Sequence, residues 1–206
     1  MLVRITMFVC ALFMAATLQA EEFSENRHYE VLDNPASTTP EIIEYFSFYC
    51  MACYRFEPIA KELAATFPEA FKKSHTSGLS PKPGMGSKMT QAYSLALMLN
   101  KEQAISESIF KQQFGQRQSI DTQEKIKDIF IQAGVSESDF KRSFNNFSVK
   151  ARAKQMDKDA RDKNITGTPT LIVNGKYKIL MNGFRHSDDL IGDLKLVIEQ
   201  LMSKSS

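Results

Sequence analysis

Two cysteines stand where an apolar stretch passes into a helical pattern, in the motif Cys50-Met51-Ala52-Cys53. A strand that ends just before a helix places Cys50 at the helix N-terminus, where free backbone N–H groups and the helix dipole stabilise an anion. A thiolate forms readily there and is the nucleophile of thiol–disulfide exchange. We expect Cys50 to be the exposed, attacking thiol and Cys53 to be buried and able to close a disulfide with it. Half of a zinc ribbon has the same spacing, so the motif alone leaves a metal site open.

The cysteine count argues against zinc. The one other cysteine, Cys10, lies in residues 1–20, where one basic residue, an uncharged run to Leu18 and Ala20 form the pattern of a cleaved secretory signal peptide. An uncleaved N-terminal anchor is the alternative. After cleavage, both remaining cysteines belong to the motif, a four-sulfur metal site is impossible within one chain, and an exported compartment permits disulfides. We expect no metal and no cofactor.

The formal net charge of +2 over 206 residues, with basic and acidic residues interspersed, favours no nucleic-acid partner. Hydrophobic periodicity predicts strand, helix and strand, then an all-helical block, then helix, hairpin and helix. The predicted elements are strands over 41–48 and 71–77, helices over 54–67, 88–99, 102–114, 122–133, 136–144, 148–163 and 187–202, and hairpin strands over 170–173 and 176–180. Asn174-Gly175 is the strongest hairpin signal, and Asp121 and Ser187 are the predicted caps of the helices after them.

This order resembles the DsbA family of thiol:disulfide interchange proteins, whose thioredoxin fold carries a helical domain between its halves. The resemblance rests on residues 44–50, Cys53-Tyr54, 130–134, Thr168-Pro169 and 173–177. It implies an α/β fold in which residues 21–86 and 148–206 form the thioredoxin-like domain and residues 87–147 form the inserted all-helical domain.

The resemblance also implies a function. Proteins of this family donate a disulfide, here Cys50–Cys53, to reduced polypeptides newly exported to the periplasm, and a quinone-linked membrane oxidase of the DsbB type re-oxidises them. We therefore expect a periplasmic location and those two kinds of partner. We also expect a monomer, because no dimerisation segment is visible.

The dipeptide between the cysteines departs from the family pattern. The family usually has proline then histidine, and that histidine stabilises the thiolate of the first cysteine. Ala52 offers no side-chain donor, and Met51 lacks the stiffness of proline, so Cys50 is expected to be activated less. This departure keeps a disulfide reductase or isomerase open as an alternative. A chaperone-like polypeptide-binding module with a structural dithiol is the other alternative.

Glu44 lies in an otherwise apolar strand before the motif. A carboxylate buried there would have a raised pKa and could exchange a proton with Cys53. The alternative is that Glu44 points outward at a strand edge; the resemblance favours the buried role. The family often pairs this acid with a lysine, and a gapless alignment places His75 at that position. His75 is then either a group that shifts the proton balance near neutral pH or a surface histidine.

Thr168-Pro169 precedes the hairpin. The resemblance implies a cis peptide bond that faces the disulfide, so that backbone groups of residue 168 can pair with an extended substrate, with the Thr168 hydroxyl close to the sulfurs. The alternative is a trans proline that starts a strand. Met51, Met85 and Phe184 fall where the family has an apolar lip around the disulfide that suits varied clients.

Overall fold

A mixed β-sheet positions the motif, which follows one of the interior strands of the sheet. The structure, a computed structural model, describes residues 23–80 and 82–204; the predicted signal peptide, residues 1–20, lies outside them. The strands, in their order across the sheet, are β1 (Tyr29–Val31), β5 (Tyr177–Ile179), β4 (Thr170–Val173), β2 (Ile42–Phe46) and β3 (Phe71–His75). The β2–β3 pair is parallel, and the other neighbouring pairs are antiparallel.

The helices form two groups according to their place in the sequence relative to the strands. Helix α1 (Met51–Thr66) connects β2 to β3, and α7 (Leu190–Ser203) follows β5. Between β3 and β4 lie α2 (Met85–Met98), α3 (Glu102–Phe110), α4 (Gln123–Gln132), α5 (Glu137–Phe144) and α6 (Phe147–Asp162). A π-helical turn, Lys111–Gly115, continues α3, and short 3-10 turns lie at Ser77–Leu79 and Met181–Phe184. Within the described ranges, none of the helices has both the length and the apolar character that a membrane crossing requires.

Strand β2 lies between β3 and β4, which is why its sequence is an almost unbroken apolar run. The register pairs Glu44 of β2 with Lys73 of β3 and with Leu171 of β4. The strand predicted over 41–48 ends at Phe46, and the residues after it form the turn before the motif. In that turn, the Cys50 N–H donates to the Ser47 carbonyl at 3.0 Å.

Helix α1 begins directly after Cys50, earlier than its apolar periodicity predicts. Cys50 has an extended backbone (φ −102°, ψ 110°), and its Sγ accepts a hydrogen bond from the Cys53 N–H at 3.1 Å. This helix-capping position is usually taken by Ser, Thr, Asp or Asn. Here the capping acceptor is the sulfur atom of a cysteine, so the residue types that usually mark a helix start do not predict this one. The predicted helix N-terminus at Cys50 is nevertheless confirmed, and Pro58 lies inside the helix.

The five helices α2 to α6 enclose one large apolar cluster, and α1 connects it to a second. We name α2 to α5, residues 85–144, the helical block. Cys53 is buried in the first cluster with side chains of the helical block, whereas Phe56, Ala60 and Leu63 of the same helix belong to the second cluster, between the sheet and α7. The domain boundaries drawn at residues 86/87 and 147/148 lie close to the starts of α2 and α6, and the division into two domains stays a prediction.

Two of the predicted helix caps are wrong. Thr122, not Asp121, caps α4, because its Oγ1 accepts from the Lys125 N–H at 3.3 Å. The Asp121 carboxylate instead forms ion pairs with lysine side chains. Asp189, not Ser187, caps α7, because Ser187 still belongs to the turn that precedes the helix. The hairpin signal is confirmed, since Asn174 and Gly175 have φ values of 49° and 66°.

Candidate active site

The two thiols of the motif occupy different environments. Cys50 is half-buried, whereas Cys53 is 0% exposed in the cluster beneath the helical block. Both are free thiols, so the structure presents the reduced form of the pair. The expectation that Cys50 is the accessible thiol and Cys53 the buried one is confirmed.

Hydrogen bonds lower the pKa of Cys50 from its ordinary value of 9.0 to about 6. The largest contribution comes from the Cys53 thiol; burial opposes it, and the Thr168 hydroxyl and the backbone N–H groups of Cys53 and Ala52 add to it. The pKa of Cys53 is raised, because its thiol donates to Cys50 and because it is buried. At neutral pH, Cys50 is therefore mainly a thiolate while Cys53 keeps its proton.

The loop before β4 faces the Cys50 sulfur. The Thr168–Pro169 peptide bond is cis, as expected, and the Thr168 carbonyl accepts a hydrogen bond from the Cys50 thiol at 3.3 Å. The Thr168 Oγ1 is buried and makes no hydrogen bond of ordinary geometry with the described residues. A hydroxyl proton rotates to suit its neighbours, which accounts for the lowering effect of this hydroxyl on the pKa of both thiols.

Glu44 is buried on β2, an interior strand of the sheet. Burial is the main cause that raises its pKa from 4.5 to about 7; the positive charge of Lys73 opposes the rise, and the charges of Glu57 and Cys50 add to it. The Glu44 Oε2 lies 3.3 Å from the Lys73 Nζ, which also pairs with Glu57 of α1. Neither oxygen of Glu44 has a partner of proper hydrogen-bond geometry among the described residues, so the contact with Lys73 is an ion pair only. Such a carboxyl group can release or take up a proton near neutral pH.

His75 does not lie beside Glu44, and the alignment that placed it there is wrong. The parallel register pairs Glu44 with Lys73 and places His75 opposite Phe46. His75 is 0% exposed, and burial lowers its pKa to about 3. It is therefore neither a surface histidine nor a group that titrates near neutral pH. Its Nε2 instead accepts a hydrogen bond from the Phe48 N–H at 3.0 Å.

The predicted apolar lip is wrong for two of its three members. Met51 is 41% exposed at the start of α1, beside Cys50. Met85 and Phe184 are only 5% and 6% exposed and belong to different core clusters. Met85, the first residue of α2, packs into the cluster that contains Cys53, and the Phe184 ring lies against Phe23. Both side chains are large and apolar, and both are packed in the hydrophobic core instead of lying at the surface.

Sequence reasoning missed Glu57 and Lys73. Glu57 lies one helical turn after Cys53, so its position on the same face of α1 was a usable signal. Lys73 gave no such signal, because only the pairing register of β2 with β3 places it beside Glu44. Among the described residues, no group of three or more His, Cys, Asp or Glu side chains could hold a metal ion.

One thiol of the pair is ionised and reachable from solvent, while the other is protonated and within reach of the first. Such a pair exchanges a disulfide with an outside thiol, and the direction depends on the reduction potentials of the two partners. In the sequence, β1 to β3 precede the inserted helices, and β4 and β5 follow them. Together with this fold, the chemistry of the two thiols defines a thiol:disulfide oxidoreductase with a thioredoxin-like fold.

The chain belongs to the family of DSBA-like thioredoxin domains, which matches residues 41–194. The thiol:disulfide interchange protein DsbA of Pectobacterium carotovorum is 34% identical over 198 residues, which cover 93% of this chain and 94% of that protein. The DsbA of Yersinia pestis is 35% identical over 175 residues, which cover 82% of this chain and 83% of that one.

Solved structures confirm the predicted fold class. A variant of Proteus mirabilis DsbA, in complex with the non-covalently bound peptide PWATCDS, is similar with a TM-score of 0.78 at 28% identity, covering 88% of this chain and 99% of that one. The DsbA of Klebsiella pneumoniae has a TM-score of 0.80 at 24% identity, covering 89% of this chain and 100% of that one. This second likeness shows the fold alone.

The raised pKa of Glu44 predicts how a Glu44→Gln variant changes stability with pH. Relative to the unfolded chain, the wild type loses stability as the pH rises from 4.5 through about 7, because the buried carboxyl must ionise. The variant lacks this loss, so its free energy of unfolding should exceed that of the wild type by up to about 3 kcal/mol near pH 8 and be similar near pH 4.

Urea unfolding of the reduced proteins at both pH values measures this difference. Glu69→Gln is the matched control, because Glu69 is exposed. If Glu44→Gln changed stability equally at both pH values, the effect would be one of packing, and the assignment of a raised pKa to Glu44 would be wrong.

Proposed function

We propose that this chain is an exported disulfide oxidase that donates its Cys50–Cys53 disulfide to newly exported polypeptides. The observation that carries the proposal is the difference in pKa between the two thiols, lowered at Cys50 and raised at Cys53. A thiolate that is stabilised in the reduced form makes the corresponding disulfide a stronger oxidant.

The reaction begins with a client thiolate that attacks the Cys50 sulfur of the disulfide. The Cys50–Cys53 bond breaks, a mixed disulfide between Cys50 and the client forms, and Cys53 leaves as a thiolate. A second client thiolate then attacks the client sulfur of the mixed disulfide and releases the Cys50 thiolate. Two electrons pass from the client to the enzyme, and the client gains one disulfide.

Glu44 serves the proton transfer in this reaction. Cys53 is buried where an isolated thiolate is costly, so its departure needs a proton. Glu44, with a pKa of about 7, is protonated in a large fraction of molecules at neutral pH and interacts electrostatically with Cys50. Lys73 forms an ion pair with this carboxyl group and is itself paired with Glu57 of α1.

The client docks as an extended strand beside the cis-proline loop. The Thr168 carbonyl has the Cys50 thiol as its donor only while that thiol is protonated, and the Thr168 N–H has no partner among the described residues. Both backbone groups are thus available to an incoming strand once the cysteines form a disulfide. The cysteine-containing peptide bound by the Proteus mirabilis DsbA variant supports this class of substrate.

The re-oxidation partner and the cellular location that we propose for this protein are those of the family. We propose a quinone-linked membrane oxidase of the DsbB type as the partner that restores the disulfide, the periplasm as the location, residues 1–20 as the cleaved signal peptide, and a monomer as the working form.

One observation favours a second candidate, a periplasmic disulfide reductase or isomerase. Ala52 is exposed at the second position of α1 and presents no side-chain donor to the Cys50 thiolate. A less stabilised thiolate lowers the reduction potential of the pair and moves the protein toward reduction or isomerisation.

The reduction potential tests the proposal. We expect it to lie above that of the glutathione couple at neutral pH, so that the oxidised protein converts a reduced two-cysteine peptide to its disulfide. The potential is measured by equilibrating the protein with mixtures of reduced and oxidised glutathione and separating the two protein forms after acid quenching. A value below the glutathione couple favours the reductase or isomerase, and a disulfide that does not exchange favours a structural pair.

A further inference from the structure

Two side chains from distant parts of the chain hold both backbone groups of Phe48. The Phe48 N–H donates to the His75 Nε2 at 3.0 Å, and the Phe48 carbonyl accepts from the Gln113 Nε2 at 3.1 Å. Phe48 is fully buried and lies two residues before Cys50. We name this pair of side chains, His75 and Gln113, the Phe48 clamp.

The His75 half of the clamp is anchored on α2 of the helical block. Because Nε2 accepts from the Phe48 N–H, the proton of the neutral ring lies on Nδ1 and is donated to the Thr90 Oγ1, 2.9 Å away. The Thr90 hydroxyl in turn donates to the Gly86 carbonyl at 3.2 Å. Burial keeps the pKa of His75 at about 3, so Nε2 remains an acceptor throughout the working pH range.

The Gln113 half is anchored on the π-helical turn of the same block. The Gln113 Oε1 accepts from the Ile120 N–H at 3.0 Å, so the amide group has a partner at each end and its orientation is determined. The Ile120 carbonyl accepts from the Tyr49 hydroxyl at 2.7 Å. The residue before Cys50 is thereby tied to the same part of the helical block.

The clamped segment determines where the Cys50 sulfur lies. In the turn that contains Phe48, the Cys50 N–H donates to the Ser47 carbonyl at 3.0 Å. The Cys50 Sγ accepts a hydrogen bond from the Cys53 N–H at 3.1 Å. In the disulfide form, a covalent bond to Cys53 holds the Cys50 sulfur, whereas in the thiolate form only these non-covalent contacts do. A displacement of the segment therefore weakens the thiolate more than the disulfide.

We propose that His75 and Gln113 are positioning residues through which the helical block sets the oxidising strength of the cysteine pair. The proposal rests on the redox function proposed above and deepens it. The clamp stabilises the reduced form, so its removal lowers the reduction potential of the protein.

The test uses Gln113→Met, which removes both polar contacts without adding a charge. We expect the pKa of Cys50, measured by thiolate absorbance, to rise by about 0.7 and the equilibrium with glutathione to shift about fivefold toward the disulfide form, as for the loss of one hydrogen bond. Gln116→Met is the matched control, because it makes the same change at an exposed position directly after the same turn. It should leave both quantities unchanged.

The other half of the clamp is tested at Thr90, since replacing His75 would leave the buried Phe48 N–H without an acceptor and endanger the fold. Thr90→Val removes the acceptor of the His75 Nδ1–H and should shift both quantities in the same direction, whereas Thr90→Ser keeps the hydroxyl and should restore them. Ser94→Ala removes another buried hydrogen bond of α2, from Ser94 Oγ to the Val149 carbonyl, and controls for general destabilisation.

A merely structural role would lower the free energy of unfolding of the reduced and oxidised proteins equally. If Gln113→Met and Thr90→Val did so while the Cys50 pKa and the glutathione equilibrium kept their wild-type values, the proposal would be overturned. A wild-type potential below that of glutathione refutes the oxidase function instead. The clamp is judged on the difference between each variant and the wild type, so the two failures remain distinguishable.

Discussion

We expect a Cys53→Ala variant to accumulate mixed disulfides with exported proteins through Cys50. Cys50 is the accessible thiol with the lowered pKa, so it still reacts with disulfides at neutral pH. The thiol that resolves the resulting complex has been removed, so each complex persists until an outside thiol attacks it. The catalysed oxidation of two-cysteine clients should be lost completely, since the chain can no longer form its own disulfide.

Non-reducing gels of exported proteins, followed by mass spectrometry of the adducts, measure this outcome. Cys50→Ala is the matched control: it loses the same activity, but its remaining thiol is buried and has a raised pKa, so it should trap no partners. Adducts that form equally with both variants, or through Cys53 alone, would reverse the roles assigned to the two cysteines.

We expect an Ala52→His variant to be a stronger oxidant than the wild type. Ala52 is exposed on the first turn of α1, and its backbone N–H already contributes to lowering the Cys50 pKa. An imidazolium at this position adds a positive charge beside the thiolate, and we expect the Cys50 pKa to fall by about one unit and the equilibrium with glutathione to shift about tenfold toward the reduced protein.

The same shift changes how the stability of the reduced protein depends on pH. A Cys50 pKa lowered from 9.0 to about 6 stabilises the folded reduced protein fully above pH 9, and this stabilisation is lost as the pH falls through 6. In Ala52→His, the lower limit of this window should move to about pH 5. The oxidised protein has no Cys50 thiol to titrate, so its stability should lack this dependence.

Thiolate absorbance during a pH titration, combined with the glutathione equilibrium, measures the effect of Ala52→His. Ala52→Asn is the control, because it adds a polar side chain without a charge and should move the Cys50 pKa much less. An unchanged Cys50 pKa in Ala52→His would mean that the backbone N–H groups already provide all the available stabilisation, and the explanation given for the Met51-Ala52 dipeptide would be wrong.

The parts of the site that were predictable from sequence depend on contacts between residues close in the chain. The thiol at a helix N-terminus follows from a strand and a helix separated by a short turn, and the hairpin follows from Asn174-Gly175. The buried position of Glu44 was predicted from its apolar neighbours and from the resemblance, and it is confirmed. The cis bond at Pro169 came from the resemblance alone.

The features that the sequence predictions missed or misplaced depend on which strands and helices meet. Strand β1 has only three residues, too few for an alternating pattern to identify it; it is a strand because β5 pairs with it. Lys73, not His75, lies beside Glu44 because the parallel register of β2 and β3 places it there.

The amino-acid sequence by itself determined the chemistry of this protein: a dithiol with one thiol at a helix N-terminus, a carboxyl group in the preceding strand, and a proline before the hairpin. The tertiary structure alone decided which lysine opposes that carboxyl group, that Met85 and Phe184 are buried in the core, and that His75 and Gln113 hold the backbone before Cys50. The physical reason is the range of the interactions. Helix starts and tight turns arise between neighbours in the chain, whereas strand register and helix packing join residues far apart, where many pairings share the same apolar pattern.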